Sequence, residues 1–417
     1  GPASALVGEA GLFFSADREK VRVMAATEAF VTPKLIEWAR LRHHIGTDSA
    51  AQRLNIKEDT LKAWESGVAR PTLRQAQVLA NKLNVPLGYL FLDSPPEEEL
   101  PLPDLRMVAG EPPQQPSPDF IDLLYDVLRK QQWYHEYLES QRALPRDFVG
   151  RFQSNHVRPE IIATDIRETL HVDSAMREMA STWEGFLREF IRRAEGVGVL
   201  VMRSGIVKNS TRRKLSVWEF RGFAISDTLA PLVFINGNDA RAAQIFTLAH
   251  ELAHLWMGAS GISNPDYRKK SSEQNNNIER LCDSVAAEVV TPRVEFLLRW
   301  NDTSETMFNL QTLATRFRVS RWVVLRQAYD LGKLNPDEYD EYYERLRQEQ
   351  RQPSAGGGGD FYPTFVLRNS SVLTSALIAS VAEGRVLHRD AARLLSINVS
   401  TLDGVARHLF GVQPNRG

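Results

Sequence analysis

Cysteine is nearly absent: Cys282 is the only one in 417 residues. A lone thiol excludes an internal disulfide and points to a reducing compartment, so the expected location is the cytoplasm. Net charge is missing as well. With 51 basic and 52 acidic residues the chain sits at −1, so no whole-chain field draws it to nucleic acid or to a lipid surface. No apolar run approaches the roughly 20 residues of a membrane-spanning helix, and no secretory leader is visible, so no membrane partner is expected. Gly1-Pro2 reads as the remnant of a protease cleavage. What is left is an ordinary mixed composition, 43% hydrophobic, in a chain long enough for two to four domains.

The most informative run is Phe246-Thr-Leu-Ala-His-Glu-Leu-Ala-His-Leu-Trp256. On a helix, His250 and His254 lie one turn apart on one face, the spacing at which two imidazoles can grip one zinc ion. Glu251, next to the first histidine, is then placed to act as a general base on water. Leu248, Ala249, Leu252, Ala253 and Leu255 are good helix formers that would bury such a segment. The alternative is a buried amphipathic helix with two hydrogen-bonded histidines and a surface glutamate at Glu251.

A catalytic zinc site usually takes a third protein ligand and leaves one position open. Downstream, Ile278, Leu281, Val285, Ala286 and Val289 recur at helical spacing and Pro292 marks a stop. Glu279 starts this helix, with Asp283 and Glu288 as competing carboxylates. Asp283, one turn on, could face the same site or orient a histidine, whereas Glu288 reads as a solvated charge. Cys282 shares a face with Glu279, which would let its thiolate block the open zinc position as a redox switch. The simpler reading is a small buried side chain.

These two segments resemble the ImmA/IrrE metallopeptidases, whose second motif runs Glu-x-x-Ala-x-x-Phe-Ala-Ala-x-Leu-Leu-Met-Pro. The resemblance places the third zinc ligand on Glu279. Cys282 stands where the family has alanine, Val285 where it has phenylalanine, and Val289-Val290-Thr291 replaces Leu-Leu-Met, all of which preserve the apolar pattern. It implies a zincin-like domain, a Zn2+ cofactor, and endopeptidase action with Glu251 as the catalytic base. It also implies a protein substrate of the helix-turn-helix repressor type, or an operon partner, in stress, mobile-element, toxin–antitoxin or defence responses. Tyr267 and Arg268, in the following loop, are candidate oxyanion stabilisers, though an exposed loop role suits them better. Ala230-Pro-Leu-Val-Phe-Ile-Asn236 reads as a strand bounded by turn residues, to which an extended substrate could add.

The N-terminal part is a different object. Ala50 to Gly67, followed by Arg70 to Pro86, is similar to the XRE-type helix-turn-helix family. That resemblance implies that Ala51 and Leu54 pack the first helix of the pair. Ile56 would fill the turn, and Leu61 and Trp64 would anchor the recognition helix. From Pro33 to Leu92 there are nine Lys/Arg against five Asp/Glu, an excess that suits phosphate contact. The candidate DNA contacts are Lys57, Thr60, Lys62 and Arg70, although Glu58 and Asp59 at the same helix start would repel phosphate. A homodimer is compatible with such a module.

The expected fold class is α+β and mainly helical. Residues 31–93 form the helix-turn-helix and 94–118 a Pro-rich linker, within which Leu102 to Arg106 could dock on the peptidase domain. Residues 119–352 form the zincin-like domain with a small sheet, including a first strand at Gly198–Met202. A Gly-rich hinge (353–360) leads to a separate small helical unit (361–417). A weak internal repeat aligns Ala51–Leu61 with Ala314–Val324 and Ala392–Leu402. The competing function is a DNA-binding regulator or antitoxin-like protein whose peptidase fold mainly binds a partner. A structural zinc protein is the third possibility.

Overall fold

The computed structural model describes residues 27–42, 45–96, 102, 116–153, 157–263, 277–349 and 361–410. They divide into two compact units, Gly1–Glu98 and Glu99–Gly417.

In the first unit, helices α1 (Pro33–Leu41), α2 (Thr47–Leu54), α3 (Glu58–Glu65) and α4 (Leu73–Lys82) precede a short 3-10 turn at Leu87–Phe91. Pro33 opens α1, where its missing N–H is no loss. Thr72 and Gln75 form a reciprocal capping box on α4. The expected anchors Ala51, Leu54, Leu61 and Trp64 are all buried in one cluster with Leu35, Ile36 and Leu79. Glu65 takes a bidentate pair from Arg40 at 2.7 and 3.1 Å, tying α3 to α1.

The second unit is a sheet covered on both faces. Its elements are α5 (Pro118–Ser140), α6 (Pro159–Leu170), α7 (Ser174–Met179), α8 (Trp183–Gly196), β1 (Leu200–Ser204), β2 (Gly222–Ile225), β3 (Leu232–Asn236), α9 (Arg241–Trp256), β4 (Gly261–Ser263), α10 (Asn277–Val290), α11 (Arg293–Arg299), α12 (Thr306–Phe317), α13 (Arg321–Asp330), α14 (Pro336–Glu349), α15 (Phe361–Asn369), α16 (Ser371–Ala382), α17 (His388–Leu394) and α18 (Val399–Phe410). The strand order is β1-β3-β2-β4, with β1 and β3 parallel and the other pairs antiparallel. Alternate side chains point to opposite faces. Val201, Ala224, Val233 and Ile235 join the core beneath α8, α9 and α10. Leu200, Met202, Phe223, Ile225, Leu232 and Phe234 join the core of α5 and the C-terminal helices. Burial on both faces explains why these strands read as continuous apolar runs rather than as alternations.

Two expectations change here. The C-terminal helices are not a separate unit. Phe365, Leu373, Leu377 and Leu402 share a core with the sheet, and α15 lies along β1. The strand expected to receive substrate, β3, is paired on both sides, so it has no free edge. Leu102 is buried in the second unit's core, while the rest of the Leu102–Arg106 segment, the Gly-rich hinge, Tyr267 and Arg268 lie outside the described residues. No single described helix is long and apolar enough to cross a membrane.

The repeat is real as local geometry. Asn55, Arg318 and Ser396 occupy the same offset after Ala51, Ala314 and Ala392, with φ of 57°, 57° and 56°. In each copy the next residue's N–H returns to the alanine carbonyl, at 3.1, 3.1 and 2.9 Å. His171, closing α6, uses a similar turn, so the motif is a way of ending a helix and carries no function by itself.

Candidate metal centre

Helix α9 is buried along nearly its whole length, with His250, Glu251 and His254 fully enclosed. Its C-terminal end is fixed by Trp256, which stacks on Phe148 at 4.3 Å and donates from Nε1 to Asp165 at 2.6 Å. Helix α10 runs against α9 and brings Glu279 to both histidines.

Three side chains converge. His250 Nε2 lies 3.1 Å from His254 Nε2. Glu279 Oε2 is 3.4 Å from His250 Nε2, and Glu279 Oε1 is 3.1 Å from His254 Nε2. Zinc bonds of about 2.0–2.1 Å in tetrahedral array put neighbouring donor atoms about 3.3–3.4 Å apart. The observed spacing therefore fits a tetrahedral cation with no rearrangement beyond a few tenths of an ångström. His254 Nε2 and His250 Nε2 face each other and a carboxylate at the bottom of a buried site, an arrangement of electron-pair donors that a cation satisfies. Among the described residues this is the one His/Cys/Asp/Glu cluster with such convergence.

The cluster's acids and bases pair with one another. Burial would push the Glu279 carboxyl up, but the two histidines override it and hold it at about 2. Burial would likewise lower His250, yet Asp283 and Glu279 raise it well above its ordinary value. Asp283 Oδ1 stands 3.0 Å from His250 Nδ1, the ring nitrogen turned away from the cluster. At that ion-pair distance, without hydrogen-bond geometry, the carboxylate favours the charged form of the ring.

Glu251 points to the sheet side. Its Oε1 lies 2.7 Å from where a β-carbon would stand on Gly222, the first residue of β2. Thr247 Cγ2 is 2.6 Å and the Phe234 carbonyl 3.0 Å from the same point. Only a glycine leaves room for the carboxylate, so Gly222 belongs to the site. The sequence carried a signal for it, since a glycine opening a buried strand marks a close approach, but nothing tied that approach to Glu251.

Two other expectations are corrected. Cys282 is buried with its sulfur 3.8 Å from Met257 Sδ and outside the converging cluster. Burial pushes its thiol well above the usual range, so it is a core side chain rather than a switch. Glu288 is not a solvated charge. It is 9% exposed and accepts the Arg293 N–H with both oxygens at 3.0 Å, closing the start of α11.

In the first unit, Lys57 and Arg70 are exposed and Thr60 half-buried. Lys62 is exposed but paired with Glu58 at 2.8 Å, and Thr47 donates to the same carboxylate at 2.8 Å. Glu58 therefore holds α3 against the start of α2 instead of facing outward alone. Arg70 sits over the Phe30 ring at 4.3 Å.

Fold and centre together define a helix-turn-helix protein with a zincin-like peptidase domain. The family models agree with this class: residues 36–90 match a helix-turn-helix family and residues 194–329 match the M78 peptidases, described as the IrrE N-terminal-like domain. The chain thus joins an XRE-type helix-turn-helix to a peptidase domain of the ImmA/IrrE kind. Residues 369–408, the span of α16 to α18, match a domain of unknown function. No curated protein matches the chain.

Proposed function

We propose that the protein is a zinc-dependent endopeptidase that cleaves a regulatory protein of the helix-turn-helix repressor type, guided by its own DNA- or repressor-binding module. The observation that carries this reading is a buried His250–His254–Glu279 cluster at zinc spacing with the Glu251 carboxylate seated on the same helix. Zinc held by these three residues would polarise a scissile carbonyl and acidify water. Glu251 accepts the proton of the attacking water and passes it to the leaving amine. Asp283 holds His250 in the ligating orientation. A substrate segment adds to the outer edge of β4, since β1 is covered by α15 and β3 is paired on both sides. The setting proposed is a stress, mobile-element or defence response.

The test is zinc content paired with proteolysis. Wild type and Glu251→Gln are incubated with the helix-turn-helix and partner proteins encoded beside the gene. One zinc per chain in both, with cleavage by wild type alone, supports the peptidase. Zinc in both with no cleavage of any neighbour moves the reading to a regulator that binds a partner. A folded wild type that takes up no zinc refutes the metal site. The exposed Lys57 and Arg70 favour a second reading, operator binding without turnover, which a metal-free DNA-binding assay separates.

A further inference from the structure

A second polar site lies on the opposite side of the sheet from Glu251 and the metal ligands. A small pocket, open on one side, is walled by α5, the segment after β1, and α15 with the end of α17. Three cations line it, Lys130, Lys208 and Arg368, against one carboxylate, Asp126. Asp126 is already shared, with Lys130 Nζ at 2.6 Å and Arg129 Nη2 at 2.6 Å. Arg368, half-buried, bonds to the Asn209 side-chain oxygen, and Asn209 in turn donates to the Leu395 and Ser396 carbonyls. Among the described residues neither Lys208 nor Arg368 pairs with a carboxylate. The pocket therefore holds an excess of two positive charges, partly removed from water.

Asn369 supplies an independent observation. Its Nδ2 donates to the Phe365 carbonyl at 3.0 Å, which fixes the amide orientation. Its Oδ1 is then a buried acceptor without a hydrogen-bond partner. A buried acceptor left unmade is costly, so it calls for a donor. Burial also draws the Lys130 ammonium below its ordinary value in spite of Asp126, so a further anion would stabilise its charged form.

We propose that this pocket binds a small divalent oxyanion that retains one acidic hydrogen, inorganic monohydrogen phosphate being the simplest, at the seam between α5 and the C-terminal helices. Lys208, Arg368 and Lys130 neutralise the charge, and Asn369 Oδ1 accepts the remaining O–H. Bound there, the ion ties the helices of unknown function to α5 and to the segment after β1.

The experiment is calorimetric titration of the full chain at constant ionic strength with inorganic phosphate, sulfate and methyl phosphate. Sulfate and the methyl phosphate dianion carry no acidic hydrogen. Saturable binding of one phosphate per chain is expected, with the other two weaker by about tenfold or more. Lys208→Gln, at the exposed rim, and Arg368→Gln should each weaken phosphate by about tenfold while melting as cooperatively as wild type. No saturable phosphate binding overturns the proposal. So does binding unchanged in Lys208→Gln, which keeps the fold intact, and so does equal affinity for sulfate, which removes the role of Asn369.

Discussion

Gly222→Ala separates the site geometry from ordinary strand energetics, because the two give opposite signs. Gly222 does not have a positive φ, so its backbone accommodates a side chain. In open space the substitution would stabilise by about 0.4–1 kcal/mol, through a less flexible unfolded chain. The structure leaves no such space: the new methyl would meet Thr247 Cγ2 at 2.6 Å, Glu251 Oε1 at 2.7 Å and the Phe234 carbonyl at 3.0 Å. The carbonyl is held in the sheet and cannot yield. Bringing the Glu251 contact to an ordinary 3.4 Å needs a shift of about 0.7 Å, and overpacking of this kind costs about 1–3 kcal/mol. The expected result is a thermal midpoint lower by about 2–6 °C. Because a misplacement near 1 Å costs on the order of 10²-fold, cleavage should fall by about 10- to 100-fold. Zinc content should stay at the wild-type level, because none of the three ligands touches Gly222. Thr247→Ser removes one of the obstructing atoms, so Gly222→Ala should cost less in that background. A variant that melts at or above wild type with full activity would refute the placement of Glu251 against β2.

Glu279→Gln keeps the shape of the third ligand and removes its charge, so dialysed protein should retain well under half of the wild-type zinc, measured by atomic absorption, with unchanged circular dichroism. Glu65→Ala strands the Arg40 guanidinium, only 8% exposed, and should destabilise the N-terminal unit by about 3 kcal/mol in urea titration; an unchanged midpoint would show that the Ile45 carbonyl contact suffices. If the helix-turn-helix binds DNA, Lys57→Ala should lower the slope of log affinity against log salt by about 1 for every sequence tested. Lys62→Ala should change it less, because its ammonium is already paired with Glu58. Cys282→Ala should leave zinc uptake and peroxide sensitivity unaltered; loss of zinc would show that the thiol reaches the metal.

The convergence of the two histidines was legible because helical spacing converts sequence offsets into directions. His250 and His254 share a face by arithmetic alone. Glu279 and Asp283 could not be ranked against each other from spacing, and the family resemblance was needed to choose between them. Glu288 misled for the opposite reason. Its partner is a backbone N–H created by Pro292 ending one helix and Arg293 starting the next, and no side-chain pattern announces such a group. Cys282 likewise lay on the face of Glu279 by offset, yet its sulfur turns to Met257. A helix face about 100° wide admits more side chains than one metal can use.

What the sequence hid most completely was the sheet order. Strand runs buried on both faces give no alternation to show which neighbour they take. β3 leads directly into the metal helix and looked like the natural receiver of substrate. It is instead an interior strand, because β1 pairs with it in parallel across the long excursion through β2. That arrangement makes β1 an edge, and α15 lies along it. The C-terminal helices are therefore more than an appendage. β4, at the other end of the described sheet, is paired with β2, where Gly222 meets Glu251. Removing the C-terminal helices would strip cover from Leu200, Met202 and Phe234, which share their core. A truncated chain should thus lose stability and gain self-association together, rather than behave as a peptidase relieved of a removable domain.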